Sequence, residues 1–311
     1  MAGVLYVCFY ACGLVFVVAC VVKAVSYAKL PIHLRWELYP VPHEEPDRVR
    51  HGGSYFEESD WWTKSVRFNF LGELKYMAAE IAFLKALWEF KRSLWYRSYA
   101  FHLGLYLIIS TAALVLLAAL LGLFAPGILA GAAGLYLHWI YTVTGSAGVI
   151  LSFLGAAALL QRRLTDPELK NYTTPGDLFN LLFFMLVLLL LAAGYALRPA
   201  GAPGVVAMAQ GMLTFDLSLR IPGLLFTGLL LGAILTAYIP FTHMSHFIAK
   251  YFTYHSIRWN DEPNVRGGKM EAKLAEYLTY RPRWAASHIR GDGVKTWADV
   301  ATTNPAQEPQ P

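Results

Sequence analysis

The sequence predicts an all-α membrane protein: a bundle of five transmembrane helices, N-terminus outside and C-terminus cytoplasmic, with amphipathic segments on the cytoplasmic side. Three observations carry this expectation. Of 311 residues, 56% are hydrophobic and only 15% are charged, whereas a soluble domain carries about a quarter charged residues. The apolar residues gather in five runs, each near the roughly 20 residues that a helix needs to cross the hydrocarbon core. Lysine and arginine are shared unequally between the connections, which sets orientation.

The first run, Val4 to Ala28, lacks a basic leading region and a small-residue cleavage site, so it reads as a span rather than a secretory signal. Cys8, Cys12 and Cys20 all fall within it. They form no C-x-x-C pair, and the absence of C-x-x-C-H excludes covalent c-type haem attachment, so they read as small apolar side chains. Residues 30–47, LPIHLRWELYPVPHEEPD, are rich in proline and mixed charge and predict an extended or looped segment. Within it, His33 and His43 read as solvated or packed on loop structure, with ligation as the alternative. Further on, Phe70, Leu74, Met77, Ile81, Leu84, Trp88 and Trp95 recur at helical spacing. At 100° per residue they form one stripe, which predicts a helix running into the second span, lying in the interface or covered by a partner.

The remaining spans are read at Tyr99 to Phe124, Gly131 to Leu160, Leu178 to Leu197 and Gly223 to His243. Met208 and Met212 then fall in an outer loop. The tail holds an amphipathic helix candidate around Lys269 to Tyr280. The chain thus divides into a first transmembrane helix (1–28), a cytoplasmic loop (29–98), a four-helix membrane region (99–246) and a cytoplasmic tail (247–311). Loop and tail exceed what simple connections need, and read as a docking surface for a cytoplasmic subunit.

Residues 27–98 hold eleven lysines and arginines, the 161–177 loop three and the tail from 244 nine, with Lys23 on the same side. The opposite side has only Arg198 and Arg220. The positive side is the cytoplasmic one. The same distribution accounts for an isoelectric point near 9.0 without invoking nucleic acid.

Ionisable side chains inside a membrane are costly and default to function. His102 lies just inside the cytoplasmic start of the second span; His243 and His246 lie at the cytoplasmic end of the fifth; His138 stands near the outer start of the third. A b-type haem asks for two neutral imidazoles meeting the iron from opposite faces, on facing helices at one depth. His102 and His246 meet the depth requirement, and Gly104 beside His102 reads as room for a macrocycle. Interface histidines bonded to headgroups or carbonyls remain the alternative. His243, three residues before His246, either hydrogen-bonds a haem propionate or substitutes as ligand. For His138 a quinone site or proton transfer stands beside iron ligation and plain packing.

Five spans with a histidine opening the second and another closing the fifth resemble the gamma subunit of respiratory nitrate reductase. FHLGLYL around His102, GSAGVILSFLGAAALLQRRLTDPELKNYTTPGD and IPFTHMSHF are the stretches that carry the likeness, over roughly residues 95–250. The resemblance implies two stacked b haems. Its inner ligand pair falls on His102 and His246, whereas its outer pair falls on Ala112 and Gly228, so one haem is expected and a second lacks ligands. The 27–98 loop and the tail look more like the cytochrome b subunits of transmembrane redox complexes of sulfate-respiring bacteria (the Tmc, Hmc and Dsr types). That likeness implies a cytoplasmic iron–sulfur partner akin to heterodisulfide reductase, an extracytoplasmic multihaem cytochrome c, and menaquinone in a bacterial inner membrane. His138 lies close to where the family has a basic residue near its quinol site. A cofactor-free anchor for a soluble oxidoreductase, or a proton-coupled transporter, would fit the spans alone; the chain has no evident internal repeat or pair of broken helices of the transporter kind.

Overall fold

The computed structural model describes residues 1–30, 40–51, 53–65, 67–283 and 291–303; His33 lies outside them. In chain order the main helices are α1 (Ala2–Ala28), α2 (Phe70–Phe83), α3 (Lys85–Phe90), α4 (Arg92–Phe124), α5 (Ala132–Thr165), α6 (Pro175–Ala196), α7 (Val205–Thr214), α8 (Gly223–Tyr238), α9 (His246–Phe252), α10 (Lys269–Leu278) and α11 (Trp297–Thr302). Among the described residues there is no strand, and five helices (α1, α4, α5, α6 and α8 with its 3₁₀ extension) are long and apolar enough to span a membrane. The chain divides into two compact units, Met1–Val21 with Leu74–Ser245, and Val22–Glu73 with His246–Pro311.

The first unit holds the bundle. A helix leaving lipid for another helix gains little hydrophobic free energy, because acyl chains are as apolar as leucine; close backbone approach through small residues supplies the attraction instead. The α4–α5 pair is built this way. A Cβ added to Gly155 would stand 2.7 Å from Phe101 Cα, one on Gly148 would meet the Gly104 carbonyl at 3.0 Å, and one on Gly145 would touch Thr111. The matched positions run 101 with 155, 104 with 148, and 111 with 145, which is antiparallel register. Thr111 and Thr144 add an interhelical hydroxyl hydrogen bond of 2.8 Å. The α6–α8 pair repeats the device: Gly194 lies against Leu225 and Gly228 against Leu190–Leu191, while the Tyr238 hydroxyl donates to the buried Asn180 Oδ1 (2.8 Å).

The first turns of α1 complete this unit. Ala2, Leu5 and Tyr6 are buried among Met208, Ile221 and Leu225, and the Tyr6 hydroxyl donates to the Asp216 carbonyl. Most of the rest of α1 presents valine and leucine outward, among them Leu14, Val17 and Val22.

Three expectations need correction here. The stripe from Phe70 to Trp95 is not one helix: Leu84 adopts a left-handed conformation (φ 50°, ψ 50°) between α2 and α3, and Lys91 breaks the path again before α4. Tertiary hydrogen bonds compensate the broken ladder. The Tyr106 hydroxyl donates to the Ile81 carbonyl, the Trp95 indole N–H donates to the Phe83 carbonyl, and the Glu80 carboxylate accepts from Ala86 N–H. Met208 and Met212 lie on the helix α7 rather than in an irregular loop, and Gln210 Nε2 donates to the Ala119 carbonyl, which ties the segment to the end of α4. The fifth α-helix stops at Tyr238, ahead of the expected end at His243, and continues only as a 3₁₀ turn, Ile239–Phe241, since Pro240 lacks the N–H an α-helix needs.

In the second unit the proline-rich segment is looped over residues 40–45 and then enters a short helix, Pro46–His51, and charged groups organise it. Glu44 is fully buried and accepts hydrogen bonds from Val41 N–H, Ser54 Oγ and Tyr55 N–H at 3.1, 2.8 and 3.1 Å. Glu44→Ala strands those donors without water, and we expect it to destabilise this unit by about 3 kcal/mol. Hydrogen exchange over residues 40–57 is the measurement; unchanged protection would contradict it. On the rim the Lys64 ammonium, then the Arg48 guanidinium, hold the Glu58 carboxyl below its ordinary range. The expected tail helix is present as α10, its Met270 buried.

Candidate functional site

His102 stands on α4, whose neighbouring residues face the bundle. Phe101 and Leu105 pack on the cluster of Phe184, Val187 and Leu235, with Tyr238 and Met244 beside it, and the Phe101 and Phe184 rings meet edge to face at 5.3 Å. His102 Nδ1 lies 2.7 Å from the Ser98 carbonyl one turn back and 3.3 Å from Ser98 Oγ. A carbonyl only accepts, so Nδ1 carries a proton and donates to Ser98, which fixes the orientation of the ring. Metal-bound histidines are commonly oriented in this way. A single oriented imidazole in an apolar, aromatic setting therefore fits an axial ligand.

Gly104 does not make room for a macrocycle. It is buried, and a Cβ there would strike Ser152 and stand 2.8 Å from the Gly148 carbonyl. Two residues along a helix is about 200° of rotation, so Gly104 serves contact with α5 on the side away from His102.

His243 occupies the 3₁₀ turn His243–Ser245, and its Nε2 lies 3.6 Å from Asp177 Oδ1. Asp177 forms a capping box with Thr174 at the start of α6 and also meets Arg163 of α5 at 3.4 Å. One carboxylate thus gathers the end of the third span, the start of the fourth and the segment after the fifth. His243 is 59% exposed. His246 opens α9 and belongs to the second unit, whereas His102, His138 and His243 belong to the first. His138 is exposed on α5, its Nδ1 2.6 Å from the Tyr141 hydroxyl.

Sequence reasoning missed three features. Thr-Pro-Gly-Asp at 174–177 is a legible capping pattern, and it places Asp177. Ser98, one helical turn before His102, could be found from the helix alone. The third had no local signal: in the second unit His43 is buried, hydrogen-bonded to Asp261 (2.5 Å) and stacked on Phe68, while Glu73 meets His255 at 2.7 Å. His43 is therefore packed rather than solvated. Among the described residues no group of three or more His, Cys, Asp or Glu side chains is arranged to hold a metal ion.

No curated protein matches the chain significantly. The family model for the nitrate reductase gamma subunit matches residues 86–260, a stretch that contains His102, His138, His243 and His246. With five helices able to span a membrane and more than half its length matched, the chain belongs to the nitrate reductase gamma subunit family, the membrane cytochrome b subunits of multi-subunit redox complexes.

Proposed function

We propose that the chain passes electrons between menaquinone, or an extracytoplasmic cytochrome c, and a cytoplasmic iron–sulfur subunit of the heterodisulfide-reductase kind, as in the Tmc, Hmc and Dsr complexes. In this reading the N-terminus is outside a bacterial inner membrane, the four-helix region (99–246) holds the haem, and the tail (247–311) and the loop (29–98) dock the cytoplasmic partner. His102 and His246 would hold haem b as axial ligands, and that group supplies one-electron chemistry when bound. The observation that carries the proposal is the family match over residues 86–260, within which the His102 ring on the second span is oriented by its Nδ1–Ser98 carbonyl hydrogen bond.

The chain's own part is to orient, bury and hold charge. Phe101, Phe184 and their neighbours form an apolar cluster beside His102 on α4, which supports burial of a cofactor there. Asp177 anchors His243 near the inner ends of the spans, where an exposed imidazole could hydrogen-bond a propionate. At the two positions where the family's outer ligands would fall stand Ala112 and Gly228. Gly228 lies 3.0 Å, measured from an added Cβ, from the α6 backbone, which favours a single inner haem.

The test is haem stoichiometry by pyridine haemochrome on purified chain. One haem b per chain is expected. None would overturn the proposal in favour of a cofactor-free anchor, and two would require ligands other than the inner pair.

His138, hydrogen-bonded to the Tyr141 hydroxyl, is our nominee for the quinone site. We expect His138→Ala to slow quinol oxidation by about a hundredfold, the usual scale for losing a general acid–base group, with haem content unchanged. Full quinol oxidation in that variant would remove the assignment.

A further inference from the structure

The geometry points to residues 74–98 as an interfacial helical hairpin seated in the leaflet at the Arg92 end of the second span, with anionic phospholipid as its partner. The end of α2 is held between two residues of α4, Trp95 and Tyr106, through the carbonyls of Phe83 and Ile81 (2.7 Å each). That stretch of α4 brackets Tyr99, where the apolar run begins, so the Leu84 turn lies at the boundary between headgroups and acyl chains. Ile81 and Phe83 are about half exposed there, at 50% and 59%.

A helix end can enter lipid only if its last carbonyls are satisfied within the protein, because acyl chains offer no donors. Here side chains of α4 provide the donors at two of those carbonyls, and Glu80 accepts from the first turn of α3. An aqueous surface would not need these caps, since water would supply them.

Charge and aromatic content agree with this partner. Residues 74–98 hold five basic side chains, Lys75, Lys85, Lys91, Arg92 and Arg97, against two acidic ones, Glu80 and Glu89, and Glu80 is buried. Trp88, Trp95 and Tyr99 form a ring cluster, with Trp88 and Trp95 centroids 4.7 Å apart and Trp95 stacked on Tyr99 at 4.5 Å. The Arg92 guanidinium lies 4.6 Å over Trp88. Aromatic rings with basic neighbours are the usual composition of the headgroup level, and an amphipathic helix there inserts about 5–10 Å.

The experiment uses the full chain in nanodiscs of phosphatidylcholine doped with phosphatidylglycerol, with Cys8, Cys12 and Cys20 replaced by alanine. Nitroxides are attached at Phe83→Cys and Ile81→Cys, with Tyr172→Cys, 80% exposed in a loop, as the aqueous reference. Both hairpin labels are expected to collide readily with oxygen and to be shielded from a water-soluble nickel chelate. A nickel collision rate equal to that at Tyr172 would place the hairpin in water and overturn the inference. Shielding from both agents would mean that protein covers it, and would overturn it equally. The second readout is phosphatidylglycerol enrichment around the purified chain. Each of Lys85→Gln, Lys91→Gln and Arg92→Gln is expected to lower it by about fivefold, the factor for one basic residue at an anionic surface; enrichment unchanged in the triple variant would refute the headgroup contact.

Discussion

His102→Ala is expected to purify with less than about one-tenth of the wild-type haem b, because the proposed haem would lose one of its two axial ligands and α4 carries no other histidine. His246→Ala should behave alike, whereas His243→Ala should keep the haem, its ring being drawn to Asp177. Loss of haem by unfolding would mimic this result, so the informative variant is His102→Met. A thioether ligates the same position, and histidine–methionine ligation raises the reduction potential. Haem restored by methionine with an upward-shifted midpoint potential would identify His102 as a ligand. Haem retained in full by His102→Ala would remove it from the site. Asp177→Asn would loosen Arg163 and His243 together without touching His102 on α4, and serves as the structural control.

Gly155→Leu is expected to break the second and third spans apart. The Cβ alone would stand 2.7 Å from Phe101 Cα and closer still to its backbone nitrogen, and backbone cannot give way as a side-chain tip can. Overpacking costs about 1–3 kcal/mol where neighbours are side chains, and we expect at least the top of that range here. The consequence reaches the site, since the residue displaced is the immediate neighbour of His102. The expected readout is a lowered thermal midpoint in detergent together with partial haem loss. Gly13→Leu is the matched control, as nothing lies within 4 Å of a Cβ at that position. Equal stability of the two variants would show that close approach of α4 and α5 is not what holds the bundle.

The five membrane helices were legible from composition because hydrophobicity accumulates over some twenty residues and no local conflict can cancel it. The matched family could likewise be read from short stretches around His102, the paired arginines and His246, all inside residues 86–260. Local stops were less legible. Pro240 ends α8 for a reason written in the residue itself, yet the break at Leu84 has none, since leucine favours helix.

Tertiary structure decided that break by placing Trp95 and Tyr106 where they cap the carbonyls of Phe83 and Ile81. It also decided the meaning of Gly104, which neighbours His102 in sequence but turns toward α5 and is filled by Gly148 and Ser152. In the second unit it brought His43 to Asp261 and Glu73 to His255 across about 200 residues of chain. Sequence by itself therefore determined which segments are long and apolar enough to cross a membrane, because that property belongs to each segment alone. Which glycine faces which helix, and which donor closes which helix end, depend on contacts between segments, and only the folded chain supplies them.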